Sequence, residues 1–249
     1  MARMLRSILA PNPSPMTLDG TRTWLVGTER VAVIDPGPAD SAHLAAITDA
    51  VGDGVVARIL LTHMHSDHAA GAAPLAARFG SAVGALADGT LRDGERIETD
   101  AGTLVTVATP GHTPDHVAFH WPEGNAVFCG DLMLGGLDTA LVGATEGDLG
   151  AYLDSLVRIR ALRPAVIHPA HGPSFENPDA AIDAYIAHRG DRERQVLDAL
   201  AAGATDVAAI TARVHGDALP DALRDVAQDA VRAYLAHLVR TGRIPRGAG

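Results

Sequence analysis

The sequence predicts an α/β protein, two packed sheets with helices outside, extended by a small helical region. Three observations carry this. Short apolar runs alternate with amphipathic stretches across residues 1–177, the signature of strands alternating with helices. Several of those runs stop at Gly, Pro, His or Asp, as strands ending along one sheet edge do. After Pro178 the strand patterns almost vanish and helical periodicity takes over.

The elements follow in order. Residues 23–27 and 31–35 read as two strands joined by a short turn, and Asp35-Pro36-Gly37 breaks the second. Residues 41–51 read as a helix capped by Asp40 or Ser41. A buried strand is expected over 57–62 and a helix over 68–79. Further strands cover 104–108, 117–121 and 126–129, followed by a helix over 149–162 and a short strand over 165–167. The helical part holds segments 180–202, 206–215 and 219–240, the last two linked by Gly216-Asp217-Ala218. We therefore divide the chain into a first domain, 1–177, and a second, 178–249. A helix, a short helix, a longer helix and a Gly-containing tail fit a small winged helix as well as a plain helical cap.

Composition narrows the class. Hydrophobic residues make up 47% of 249, enough for a sizeable core. The single cysteine, Cys129, excludes an intrachain disulfide, and we read it as a buried strand residue. No apolar run is long enough to cross a bilayer, and Pro11, Pro13 and Pro15 interrupt any signal-peptide core. A cytoplasmic protein without a membrane partner is expected. Residues 1–177 hold 11 Arg against 20 acidic residues, so they carry nearly all of the −10 formal charge. Such a body does not attract polyanions non-specifically.

The chemistry is concentrated in Thr62-His63-Met64-His65-Ser66-Asp67-His68. His63 and His65 are two residues apart, so on extended backbone they point the same way and can share one cation. Asp67 and His68, after the chain turns at Ser66, can reach a second. The loop Thr109-Pro110-Gly111-His112-Thr113-Pro114-Asp115-His116 holds His112 at a strand end, where it makes a third imidazole with His63 and His65. His116 and His120 share a strand face, and supporting or packing roles suit both. Phe128-Cys129-Gly130-Asp131 ends a strand in a carboxylate able to bridge two cations. In His168-Pro169-Ala170-His171-Gly172, His171 is the expected ligand rather than His168, because it sits in the loop beside a glycine. Imidazole and carboxylate donors suit zinc, and also manganese or iron.

These four motifs, in this order and each at a strand end, resemble the metallo-β-lactamase-fold hydrolases. The resemblance implies an αββα sandwich and a two-metal site. His63, His65 and His112 match the ligands of one zinc, Asp67, His68 and His171 those of the other, and Asp131 the bridge. Residues 12–24 and Tyr185-Ile186-Ala187-His188-Arg189, followed by Arg192-Glu193-Arg194-Gln195, look like a subgroup of that superfamily with a C-terminal winged helix. That subgroup includes a mitochondrial single-strand endoribonuclease and many bacterial hydrolases. Arg22 stands where the subgroup usually has Asn.

The resemblance implies a binuclear zinc hydrolase that uses a metal-bridging hydroxide, with Asp67 orienting the nucleophile or relaying its proton. The expected substrate is a small ester, thioester or related acyl compound. The alternative is cleavage of single-stranded RNA, with Arg189, Arg192 and Arg194 as phosphate contacts. His188, Arg189 and His116 are candidate substrate or supporting residues. A DNA-binding regulator is the third reading, disfavoured because Asp221, Asp225 and Asp229 lie on the helix expected over 219–240.

Overall fold

The computed structural model describes residues 4–137, 139–216 and 219–247. Two five-stranded sheets face each other. The first runs β1 (Leu5–Leu9), β2 (Arg22–Val26), β3 (Arg30–Ile34), β4 (Val55–Leu60) and β5 (Val83–Gly84) in spatial order. The second contains β6 (Arg96–Thr99), β7 (Gly102–Ala108), β8 (Val117–Trp121), β9 (Ala126–Gly130) and β10 (Val166–Pro169), with β10 and β6 at its edges. β3 and β4 are parallel, as are β9 and β10. Their carboxyl ends therefore carry the loops that hold the chemistry.

Three layers of apolar packing hold the sheets. Between them lie Trp24, Ile34, Leu60, Leu104, Phe119 and Phe128. Helices α1 (Ser41–Val51) and α3 (Ala72–Phe79) cover the outer face of the first sheet through Ile47, Val51 and Leu75. Helix α4 (Leu149–Ala161) covers the second through Tyr152, Leu156 and Ile159. Helices α5 (Pro178–Ala201), α6 (Val207–His215) and α7 (Arg224–Arg240) join that same cluster through Ile182, Tyr185, Ile210, Val231 and Leu238. The packing is thus continuous across residue 178.

Side-chain caps start most of these helices: Asp40, Asp148, Asn177 and Asp206 each accept a bond from a backbone N–H three residues on. The helix expected over 68–79 is instead two, α2 (Ser66–Ala69) and α3, with Gly71 between them. A Cβ on Gly71 would stand 2.7 Å from the carbonyl oxygen of Pro36, so the glycine lets the helix pair press onto the turn after β3. Strands β1, β5 and β6 are additions to the sequence pattern. They are short or lie at sheet edges, and mixed polarity there blurs the period-2 alternation. Among the described residues after 178 there are three helices, a 3-10 turn at Asp221–Leu223 and no strand, so any winged-helix likeness rests on helices alone. Asp217 and Ala218 of the expected linker lie outside the described residues. No helix among the described residues is long and apolar enough to cross a membrane.

Candidate metal centre

Four loops converge where the sheets' carboxyl ends meet. His63, His65, Asp67 and His68 follow β4, His112 lies between β7 and β8, Asp131 follows β9, and His171 follows β10. All seven sequence-predicted ligands come together in two groups: His63, His65, His112 and Asp131, and beside them Asp67, His68 and His171. Within each group the donor atoms lie within 4.8 Å of one another. Asp131 faces both. Its Oδ2 is 3.8 Å from His112 Nε2, while its Oδ1 is 3.4 Å from His68 Nε2 and 3.3 Å from His171 Nε2. Asp67 Oδ2 closes the second group at 3.5 Å from His68 Nε2 and 3.4 Å from His171 Nε2.

Every histidine in the cluster spends one ring nitrogen on the protein and turns the other inward. His68 Nδ1 donates to Asp35 Oδ2 at 2.9 Å. His63 Nδ1 donates to Thr62 Oγ1 at 3.1 Å, and that hydroxyl donates to Asp35 Oδ2 at 2.7 Å. His112 Nδ1 donates to the Leu141 carbonyl at 2.8 Å, and His171 Nδ1 to the Gly20 carbonyl at 3.1 Å. His65 reverses the pattern: Nε2 donates to Glu146 Oε2 at 2.8 Å, and Nδ1 faces His112 Nε2 at 3.2 Å. Such outer bonds fix tautomer and ring orientation at metal sites.

Electrostatics follow from burial and three carboxylates. Burial holds His63 well below the ordinary imidazole range, and the charge of His68 adds to the effect. Burial likewise lowers His112 against the pull of Asp131. His68 and His171 go the other way. Burial opposes their charge, but Asp131 and Asp35 lift His68 well above its usual value, and Asp131 and Asp67 bring His171 to about 9. Asp131, despite its burial, is held well below the carboxylate range by His68 and His171. The cluster thus attracts positive charge, and a divalent cation there would compete with protons.

The remaining predicted residues divide. His116 is fully buried behind the cluster, where its Nε2 accepts from the Asp131 backbone N–H at 3.3 Å and its Nδ1 donates to Thr109 Oγ1 at 2.8 Å. It supports Asp131 rather than facing the donors. Arg189 does not lie at the surface, where an RNA backbone would meet it. It is buried, donating to the Ala140 carbonyl and to the Tyr234 hydroxyl, with its guanidinium 4.9 Å from the Tyr152 ring centroid. Arg194 pairs with Asp191, and Arg192 donates to Gln195 and to the Val214 carbonyl. His188 and Arg189 both line a cavity beside α5 and α7. His168 packs on Trp24 and Phe128 and bonds Ser174, away from the donors. Cys129 is buried, as expected of a strand residue.

Sequence reasoning missed Asp35 and Glu146. Asp35 lies in Asp-Pro-Gly, which reads as a strand breaker. Its positive φ of 48° and its burial are the unread constraint, aiming the carboxylate at Thr62 and His68.

The sequence profile described as the Metallo-beta-lactamase superfamily matches residues 16–91 and 82–171, and so takes in every one of these donors. The chain belongs to this superfamily. Its layer order is αββα, the fold of that superfamily. A Caenorhabditis elegans protein named Beta-lactamase-like protein 2 homolog is 31% identical over 94% of this chain and 84% of its own length. Lactamase-like protein adaB of Aspergillus niger is 36% identical over 78% of this chain, which spans 62% of that relative. Among solved structures, a beta-lactamase domain protein from Burkholderia ambifaria superposes with a TM-score of 0.81 at 23% identity, covering 99% of this chain and 88% of that one. A metallo-beta-lactamase family protein from Thermus thermophilus gives 0.76 at 22% identity, covering 98% and 96%. A chain solved in a di-iron-bound form gives 0.55 at 28% identity, covering 68% and 93%.

The donor set fits divalent cations. His63 Nε2, His68 Nε2, His171 Nε2 and Asp131 Oδ1 are buried without a hydrogen-bond partner, a costly arrangement for polar atoms unless a ligand takes them up. Gly130, φ 50°, lets the strand end close on the cluster. A Cβ there would meet Thr62 Oγ1 at 2.6 Å and His116 Nε2 at 2.8 Å.

Proposed function

We propose that this protein is a binuclear hydrolase of small ester, thioester or related acyl substrates, with zinc as its metal. The observation that carries the binuclear reading is the paired orientation of the histidines: five rings bonded outward at one nitrogen and turned inward at the other, around an aspartate that faces both donor groups. His63, His65 and His112 would hold one cation, Asp67, His68 and His171 the second, and Asp131 both. Cations held there supply Lewis acidity toward a carbonyl oxygen and lower the pKa of water.

The chain's own residues do the rest. Asp67 is a carboxylate, not a carboxylic acid: burial favours the neutral form, but the nearby imidazoles of His171 and His68 overcome it. Its side chain is 29% exposed, in reach of solvent and substrate. It is suited to take a proton from the attacking water and pass it to the leaving group. In that step the water oxygen bonds to the carbonyl carbon and the C–O or C–S bond breaks. The alcohol or thiol leaves with the relayed proton, and the acid is left behind. Asp35, Glu146 and His116 act through the donors they position.

The acyl reading is favoured over RNA by charge and burial. Residues 1–177 are strongly acidic, and Arg189 is buried. The test is metal-loaded enzyme assayed against thioesters, lactones, phosphodiesters and single-stranded RNA, with metal content measured by elemental analysis. Turnover of acyl compounds with two zinc per chain supports the proposal. RNA cleavage without acyl turnover refutes the substrate class, and a reproducible single metal refutes the binuclear site. The di-iron-bound form of a related chain makes iron the comparison metal.

A further inference from the structure

Beside the metal centre lies a cavity of about 320 Å³, a volume in the range of small-molecule sites. In segment 134–142, Leu134, Leu137 and residues 139–142 form one wall. The same segment serves the metal cluster with its backbone: the Leu141 carbonyl accepts from His112, and the Gly135 N–H donates to the His171 carbonyl at 2.8 Å. Helices α5, α6 and α7 form the other walls, through Val196, Val214, Val226 and Ala230. Met16, 45% exposed, stands at the rim.

Its permanently charged lining has one sign. Arg189 and Arg192 line it beside His188 and His215, and among the described lining residues there is no Asp or Glu. Neither arginine makes an ion pair with a carboxylate among the described residues, and Arg189 Nε is buried without a hydrogen-bond partner. In a chain of formal charge −10, an apolar cavity with unneutralised guanidinium groups is selective for what it accepts.

We propose that this cavity binds the acyl portion of the substrate, and that the acyl group is amphipathic: an apolar body against α5 and α7, with a carboxylate held by Arg192. The inference rests on the acyl-hydrolase reading above and adds the substrate class to it. Apolar lining accounts for the body, and uncompensated cations account for the negative group. Sharing of segment 134–142 sets the bound group beside the metal donors.

The test has a binding arm and a turnover arm, both on metal-loaded full-length enzyme. Calorimetry compares decanoate with decanol. Hydrolysis compares a sebacoyl monothioester, which keeps a free carboxylate, with an acetyl thioester. Decanoate should bind more tightly than decanol. Arg192→Gln should weaken decanoate roughly tenfold and leave decanol unchanged, the loss expected for one charged hydrogen bond. Ala230→Phe, which fills the cavity, should weaken both. If that variant fails to fold, Met16→Trp at the exposed rim obstructs the same space. In each variant the ratio of sebacoyl to acetyl kcat/KM should fall, through KM rather than kcat. Equal affinity for decanoate and decanol in the wild type, or unchanged decanoate affinity in both variants, overturns the proposal. If thioesters turn over but the ratio does not move, the cavity claim fails and the acyl-hydrolase reading stands. If decanoate binds as expected and no acyl compound is hydrolysed, the hydrolase reading is what fails, and the substrate assignment fails with it.

Discussion

The metal cluster and the cavity beside it are built by opposite means. Four of the cluster's seven donors lie within six residues of sequence, and each histidine is held by a directed hydrogen bond. The cavity draws its lining from residue 15 to residue 234, and most of its contacts are apolar and undirected. Directed bonds specify geometry to a fraction of an ångström, which bond-breaking requires. Undirected packing specifies volume, which is what choosing a substrate requires. Substitutions in the first should damage every substrate alike, and those in the second should separate one substrate from another.

The largest effect tests the shared donor. Asp131→Ala should abolish turnover of all substrates and strip both metals, whereas His171→Ala should lose mainly one. Elemental analysis of protein purified without chelator measures the difference. Full metal and full activity in Asp131→Ala would reduce Asp131 to a turn residue and break the comparison. Next comes Asp35→Asn, which removes a charge that accepts from both His68 and Thr62. Metal affinity should fall about 10–100-fold, as for other outer partners of metal-bound imidazoles, measured by competition with a chromogenic chelator.

A third prediction compares two histidines at the end of β10. His171 is a proposed ligand, while His168 is a packing residue that burial lowers to about 4. Below its ordinary value of 6.5 the unfolded chain binds a proton that the folded chain refuses. Stability should therefore fall as pH drops from 6.5 toward 4, by up to about 3 kcal/mol. His168→Gln should flatten that acid limb in urea titrations, and an unchanged limb would refute the assignment. The smallest effect belongs to Glu146→Ala. Its carboxylate is 59% exposed where it meets His65. Metal affinity should drop about tenfold, at the mild end for an outer partner.

The candidate donors are legible because their chemistry is written locally. Thr62-His63-Met64-His65-Ser66-Asp67-His68 after an apolar run has few other uses, and Gly130-Asp131 and His171-Gly172 carry the same strand-end signature. Residues whose meaning depends on pairing are not legible. Asp35 matters because parallel β3 and β4 bring residue 35 to residues 62 and 68. Glu146 sits in a loop without periodicity. Arg189 reads as a surface charge on a helix, and its depth follows from how α5 meets α7, which no local pattern encodes. The one helix that splits, at Gly71, does so for a tertiary reason as well.

Glu146 also has a consequence for biosynthesis. Its loop is moored to α7, since the Ala144 N–H donates to the Asp229 carbonyl and the Thr145 N–H and hydroxyl bond the Asp229 carboxylate. At the other end of the chain, the Gly20 carbonyl orients His171. The cluster is therefore drawn tight by contacts from residue 20 to residue 229, although most of its ligands are made early. On the ribosome, His63 to His68 emerge long before the helix that steadies His65. A nascent chain would carry these donors without the contact that steadies His65 until α7 has left the exit tunnel.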